Sequence, residues 1–414
     1  MSLSNPWFLA AILGILGWFH VKLLAEFLNL SRLSKDVPEP LRDLISEEDQ
    51  ERTMEYQTAR TKLEVRRDAF MLAVLVLFWW SGGFQWLDGT AARIGTTSIG
   101  TGLLLISALV LLEGLLALPF ELWSTFGVEA AFGFNKTTPG TFIADRLKGL
   151  VLGALLGLPL LALVLWLFER SPYAALWAWV VVTAVGLLMS WLSPRLIVPL
   201  FLKFTPLEEG ALRRAIMALA EKLQFPVGEI SVVDGSRRST KANAFFTGFG
   251  STKRIALFDT LLDGYSEEGI VGVLAHEIGH CKLQHVPKQI AVGLAQSALM
   301  FGLLHFALHD ERLYAAFGVR HPSVAMGLIL FCLVYSPWSH LLDAPLQGLT
   351  RKHEFEADRF AAQSTGSPAP LMASLKKLSR DHLSHLTPHP FYVKLHYSHP
   401  PLLERLKALA AVKT

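Results

Sequence analysis

The sequence predicts a mainly α-helical membrane protein of about seven transmembrane helices, with a mixed α+β portion on one side of the bilayer. Three observations predict it. The 414 residues are 52% hydrophobic and only 18% charged, with a mean hydropathy of +0.39, too apolar for an ordinary soluble enzyme. Apolar runs close to the ~20 residues that cross a hydrocarbon core recur along the chain. Between two of them, short β-prone runs with turn residues replace the helical periodicity.

The first run, Pro6 to Leu30, is interrupted in its second half by His20, Lys22 and Glu26. It lacks a basic start and a small-residue cleavage site, so it reads as a retained span rather than a removed signal peptide. Ser31 to Asp68 is dense in both charge signs and reads as a solvated helix at the membrane surface. The clear spans are Ala69 to Trp86, Ile99 to Trp123, Leu147 to Phe168 and Ala174 to Phe201, followed later by Ile290 to Leu308 and Pro322 to Leu342. Glu113 and Glu121 fall within the third span, where an unpaired charge in lipid costs roughly 3 kcal/mol or more, so both are expected to face the interior. The glycines from Gly149 to Gly157 lack phosphate-loop spacing and read as a helix-packing face.

An odd number of spans places the termini on opposite sides, and the basic residues say which side is which. Arg32, Lys35, Arg42, Arg52, Arg60, Lys62, Arg66 and Arg67 crowd the segment after the first span, whereas the next short loop has only Arg93. The N-terminus is therefore expected outside, with 204–287 and 343–414 in the cytosol. The chain divides accordingly into residues 1–203 with five spans and the charged loop 31–68, a cytosolic part at 204–287, two spans at 288–342, and a cytosolic C-terminal part at 343–414. The two cysteines, Cys281 and Cys332, suggest no disulfide and read as small buried residues. A net charge of +3, scattered rather than clustered, gives no nucleic-acid surface.

Within 204–287, Glu208 to Gln224 carries Leu212, Ile216, Leu219 and Leu223 at helical spacing. Ile230 to Val233, Ala244 to Thr247 and Arg254 to Phe258 read as strands, set off by Asp234-Gly235 and Gly248 to Gly250. A helix then begins near Ser266, with Glu267 and Glu268 in its first turn.

That helix contains VLAHEIGHCKLQH, Val273 to His285. Residues i and i+4 share a helix face, so His276 and His280 can offer ring nitrogens to one zinc ion. Glu277 beside them can take a proton from the water such an ion activates, the HExxH arrangement of zinc peptidases. A third protein ligand is needed. Arg351 to Phe360 reads RKHEFEADRF, a polar helix downstream of the last span with Glu354 and Asp358 on one face. Glu354 would complete a His-His-Glu site open at its fourth position, and Asp358 would orient a liganding imidazole or exchange protons. Glu356 competes with Glu354 as ligand; a plain charged helix surface is the bland reading, and His353 reads as surface. Asn243, in KANAFFTGFG, either helps an edge strand hold an extended peptide or caps a turn.

Several separated motifs carry a resemblance: FGFNKTTPGTF at Phe132 to Phe142, KANAFFTGFG at Lys241 to Gly250, HEIGH at His276 to His280, RKHEFEAD at Arg351 to Asp358 and YSHPPLLERL at Tyr397 to Leu406. In this order they resemble the integral-membrane CAAX prenyl-protease zinc metallopeptidases over nearly the whole chain. The resemblance implies about seven helices enclosing a water-filled chamber, a cytosolic gluzincin-like α+β domain, and one zinc held by His276, His280 and Glu354 with Glu277 as general base. It implies that Asn243 and His399 contact the substrate, with His399 as oxyanion partner and Asp358 supporting the ligands. His399 precedes Pro400-Pro401 at a helix entry, where a turn or N-cap role is the alternative and His396 a rival. Arg405 pins Asp358 or another acid, or is exposed. The implied substrate is a peptide or protein C-terminus, prenylated in CAAX tails, with membrane-protein fragments or signal remnants as the alternative. The implied protein is a monomer in contact with membrane lipid, in a bacterial inner membrane or the endoplasmic reticulum.

Other readings compete. An intramembrane protease of the site-2 type places HExxH in a span and needs an aspartate in a later one, and Asp343 in LLDAPLQ is a poor candidate. A smaller heat-shock membrane protease shares the motif, but five spans before the metal helix are too many for it. A transporter or scaffold with a closed structural zinc needs Cys281 or His285 as fourth ligand, and Cys281 is about 100° round the helix from His280.

Overall fold

The computed structural model describes residues 2–247 and 254–413, so the turn expected at Gly248 to Gly250 lies outside the described residues. The first half of the chain is a series of long helices: α1 (Pro6–Leu30), α2 (Glu47–Trp80), α3 (Gly83–Ile94), α4 (Ser98–Leu122), α5 (Pro139–Arg170) and α6 (Ala174–Leu196). The smaller α+β part follows, as β1 (Phe204–Pro206), α7 (Ala211–Lys222), β2 (Glu229–Val233), β3 (Ala244–Thr247), β4 (Arg254–Phe258), α8 (Asp259–Gly264) and α9 (Glu267–Lys282). The chain returns to apolar helices in α10 (His285–Leu308) and α12 (Val324–Thr365), joined through α11 (Glu311–Ala316), and ends in α13 (Ala369–Asp381), α14 (Pro390–His396) and α15 (Leu402–Ala410).

Six helices among the described residues are long and apolar enough to cross a membrane, and the pair α2 and α3, bent by 70°, makes a seventh if taken together. The expected second span, Ala69 to Trp86, is therefore not one straight helix. It breaks after Trp80, where Gly82 adopts φ of +78°, a left-handed conformation that costs glycine least. Nor is Ser31 to Asp68 a separate solvated helix. From the capping box of Ser46 and Asp49 onward it is the stem of α2, and Thr53, Tyr56 and Leu63 on one face are buried. The polar RKHEFEAD segment is likewise no separate element. Helix α12 runs unbroken for 42 residues, about 63 Å at 1.5 Å per residue, through the point after Leu342 where the last span was expected to end.

Glu121 pairs with Arg146 across α4 and α5, while Glu113 lies exposed midway along α4. Neither cysteine is buried: Cys281 is partly covered and Cys332 exposed on α12.

The sheet has the order β1-β2-β4-β3, with β2 and β4 parallel and both outer strands antiparallel to their neighbours. Among the described residues β3 is therefore an edge strand whose outer backbone groups have no partner strand in the sheet. The FGFN loop holds the segment leading into it. Asn135 bridges Ser239, the Lys136 amide donates to the Arg238 carbonyl at 3.0 Å, and the Thr240 amide to that of Phe134 at 3.1 Å. Lys241 Nζ then donates to Glu129 Oε2 at 2.8 Å and to the Tyr56 hydroxyl at 3.0 Å.

Behind the sheet, α9 lies against α12 and α13. A Cβ on Gly279 would stand 3.3 Å from Ala357 Cα and one on Gly272 3.1 Å from the Leu371 amide, so the missing side chains permit the approach. Leu274, Ala275 and Ile278 complete the buried seam with Ala361 and Leu371.

Candidate metal centre and cleft

The side chain of Ser266 caps α9 by accepting from the Gly269 amide, and the apolar face fixed by Leu274 and Ile278 turns His276 and His280 toward α12. There the two Nε2 atoms lie 3.1 Å apart. Glu354 Oε2 stands 3.5 Å from the first and Oε1 3.3 Å from the second. Ligand atoms about 2.0–2.1 Å from a tetrahedral ion are about 3.3–3.4 Å apart, so these separations are the edges of such a site. Glu354 is buried, and its Oε2 has no hydrogen-bond partner among the described residues, a cost that an ion would remove. The donor set fits zinc.

Helix geometry separates Glu354 from its rival. Glu356 is about 200° round α12 from Glu354 and faces α10 instead. Its Oε2 lies 3.0 Å from His285 Nε2. His353, expected at the surface, is buried and stacks on the His285 ring at 4.1 Å with 9° between planes. His285, His353 and Glu356 also lie close enough together to suggest an ion, but an ion midway between two cofacial rings would sit outside both ring planes, off their lone pairs. His285 is no fourth ligand to the first centre either, because the nitrogen it turns to His280 meets Nδ1, the side away from Glu354.

Asp358 backs the other imidazole. Its Oδ1 is 2.9 Å from His276 Nδ1, and both its oxygens accept from Arg405, Oδ2 from Nε at 2.8 Å and Oδ1 from Nη2 at 2.6 Å. All three residues are buried. Burial opposes charge on the His276 ring, but the acids Asp358 and Glu354 outweigh it and hold the imidazole up at about 9, so a metal ion would displace that proton. Of the three roles open to Arg405, the geometry is that of a pin for Asp358. Arg405→Ala leaves a buried carboxylate with only a histidine, and the folded protein should lose about 3–5 kcal/mol, read as a fall in Tm. Arg405→Lys should recover part of it, since an ammonium restores charge but not the two-pronged contact. An unchanged Tm for the alanine variant would refute the assignment.

A cleft of about 540 Å³ opens onto the centre, lined by Asn243, His276, Glu277, His399 and Arg405. Glu277 stands near enough to His399 and Arg405 to act on both electrostatically. Asn243 immediately precedes the edge strand, exposed, with its carbonyl accepting from the Phe258 amide at 3.0 Å and its side-chain oxygen from the Ala244 amide. His399 reaches in from the turn before α15, its Nε2 3.5 Å from Glu354 Oε1 and its Nδ1 2.9 Å from the Ser398 hydroxyl. Although its side chain is 63% exposed, crowding by the cleft walls partly desolvates the ring and lowers its pKa against the pull of Glu354, which favours the neutral ring. A Ser398 hydroxyl that donates to Nδ1 would leave the ring proton on Nε2, the nitrogen turned toward the centre. His396, the rival, ends α14 and packs against Tyr392 at 4.6 Å. Asp343 bonds His340, with no contact to the centre.

Sequence reasoning missed His382, whose Nε2 accepts from the Ala242 amide at 3.1 Å and so steadies the entry to Asn243. No local pattern around His382 signals that contact.

Fold and site together define a membrane-embedded metallopeptidase. Two family models match consecutive parts of the chain, "CAAX prenyl protease N-terminal, five membrane helices" over residues 26–203 and "Peptidase family M48" over residues 206–413. The chain belongs to peptidase family M48. It is 38% identical to "CAAX prenyl protease 1 homolog" of Oryza sativa subsp. japonica over 90% of each chain. It is 32% identical to "CAAX prenyl protease 1" of Saccharomyces cerevisiae, over 98% of this chain and 95% of the yeast protein. The crystal structure of S. mikatae Ste24p superposes with a TM-score of 0.90 at 31% identity, covering 99% of this chain and 100% of that one.

Proposed function

We propose that this chain is a zinc endopeptidase that cleaves near the C-terminus of CAAX-type protein tails, with His276, His280 and Glu354 as the ligands that hold its zinc. The carrying observation is a set of three donor groups at tetrahedral spacing, opening onto a cleft that Asn243, at the start of the edge strand β3, also lines. A zinc ion in that triad would polarise the scissile carbonyl and acidify the attacking water. Glu277 accepts the water's proton and carries it toward the leaving amine. A substrate segment laid along β3 gains backbone hydrogen bonds and is presented extended, with Asn243 at its edge. His399 donates its Nε2 proton to the carbonyl oxygen as charge develops there. Asp358 and Arg405 hold the His276 ring in orientation.

The printed names of the relatives support CAAX tails as substrates. The test is to compare farnesylated and unfarnesylated CAAX peptides with purified protein. Preferential cleavage of the farnesylated peptide supports the reading; equal cleavage makes the enzyme a general membrane-protein or signal-remnant protease.

We also propose that the membrane helices enclose a water-filled chamber. Supporting it, only 11%, 11% and 6% of the most apolar windows of α4, α5 and α6 is buried, the low coverage that a chamber wall and a lipid face both leave. The enzyme works as a monomer surrounded by lipid, in a bacterial inner membrane or the endoplasmic reticulum. Its divisions are 1–203, 204–287, 288–342 and 343–414, with the catalytic parts in the cytosol. Accordingly a reporter fused after residue 413 should read cytosolic and one fused ahead of α1 external. Both on one side would remove a span from this topology.

A further inference from the structure

We propose that His285 and Glu356 form a relay behind the metal centre that positions His280, with His353 as the plate that fixes its plane. The inference rests on the metal-site reading above.

His285 is fully buried although it opens α10 just after α9 ends at Lys282. Gln284 between the helices adopts φ of +58°, a left-handed turn that brings the His285 ring back under His280. The two Nδ1 atoms are then 3.0 Å apart, and the far nitrogen of His285 is 3.0 Å from Glu356 Oε2. Glu356 is itself steadied by Lys352, whose Nζ lies 3.8 Å from Oε1.

Only one arrangement of protons serves every contact once His280 offers Nε2 to an ion. That nitrogen must keep its lone pair, so the His280 proton is on Nδ1 and is donated to His285 Nδ1. His285 therefore carries its own proton on Nε2 and donates it to Glu356. The negative charge of an acid thus reaches the ligand through two hydrogen bonds, making His280 a stronger base toward the ion and holding its ring in place. His276 has the shorter version, with Asp358 directly against Nδ1. The stacked His353, buried and with Nδ1 lacking a hydrogen-bond partner, contributes its face rather than a polar contact. One α12 segment thereby supplies a ligand, Glu354, and an acid behind each imidazole.

The test is the zinc dissociation constant of the purified full-length chain, measured by competition with a chelator, together with the visible spectrum of the cobalt-substituted protein. His285→Ala should weaken zinc binding about 10–100-fold and shift the cobalt bands. His285→Gln should recover most of the affinity, because its amide oxygen accepts from His280 while its nitrogen donates to Glu356. Glu356→Gln, at a half-exposed position the fold tolerates, keeps the acceptor but loses the charge and should fall between the two. Wild-type affinity and an unshifted spectrum in His285→Ala would overturn the relay, as would a glutamine variant as weak as the alanine one. Wild-type affinity in Glu356→Gln would remove the acid from it. Failure of the metal reading itself is separate, since the unsubstituted protein would then bind no zinc.

Discussion

Glu277→Gln should reduce peptide cleavage by about 10² to 10⁴, because the amide keeps the shape and reach of the side chain but cannot accept a proton from the attacking water. Zinc content should stay at the wild-type level. The carboxylate is not one of the three groups at tetrahedral spacing, and α9 holds His276 and His280 whether or not residue 277 is charged. Peptide affinity should also persist, since the backbone bonds along β3 and the contact at Asn243 do not involve Glu277. His399→Ala separates a different step, slowing turnover through the lost donor while leaving metal in place. Cleavage is read with a fluorogenic peptide, metal by elemental analysis of the same preparation. A glutamine variant that cleaves at the wild-type rate, in a preparation free of contaminating proteases, would sink the assignment of Glu277 as base.

The local order of the α+β part was legible because its signals are local. Ala244–Thr247 and Arg254–Phe258 form strands where alternation and bounding turns place them, and Glu267 and Glu268 open α9 behind a serine cap. The HEIGH pair was legible for the same reason, since four residues on a helix face determine the distance between two rings. What was hidden depends on partners distant in the chain. His353 reads as surface beside charged neighbours until α10 brings His285 onto its face. Arg405 had three possible fates, and only the meeting of α15 with α12 selects Asp358. The long helix α12 was misjudged because hydropathy ends near Leu342 while the helical backbone does not. Composition reports where lipid stops, and the hydrogen-bond ladder continues into water at no penalty.

The choice between Glu354 and Glu356 is the most consequential of these, and it sets the other large expected effect. Glu354→Ala should abolish zinc binding at micromolar metal and with it all cleavage, because it takes away one of three protein ligands and leaves a buried and a partly buried imidazole with no third donor. His276→Ala and His280→Ala should do the same. Glu356→Ala should behave as a different kind of variant: zinc is still bound, about 10–100-fold more weakly, and cleavage returns when zinc is supplied in excess. The contrast follows from helix geometry alone, since positions two apart on α12 point to opposite sides, one toward α9 and the other toward α10. Equilibrium dialysis against zinc at several concentrations distinguishes a missing ligand, which no excess rescues, from a missing support, which excess does. If Glu354→Ala kept full zinc and activity while Glu356→Ala lost both irrecoverably, the ion would have to sit on the α10 side of α12, and the assignment of His276, His280 and Glu354 as the metal site would be wrong.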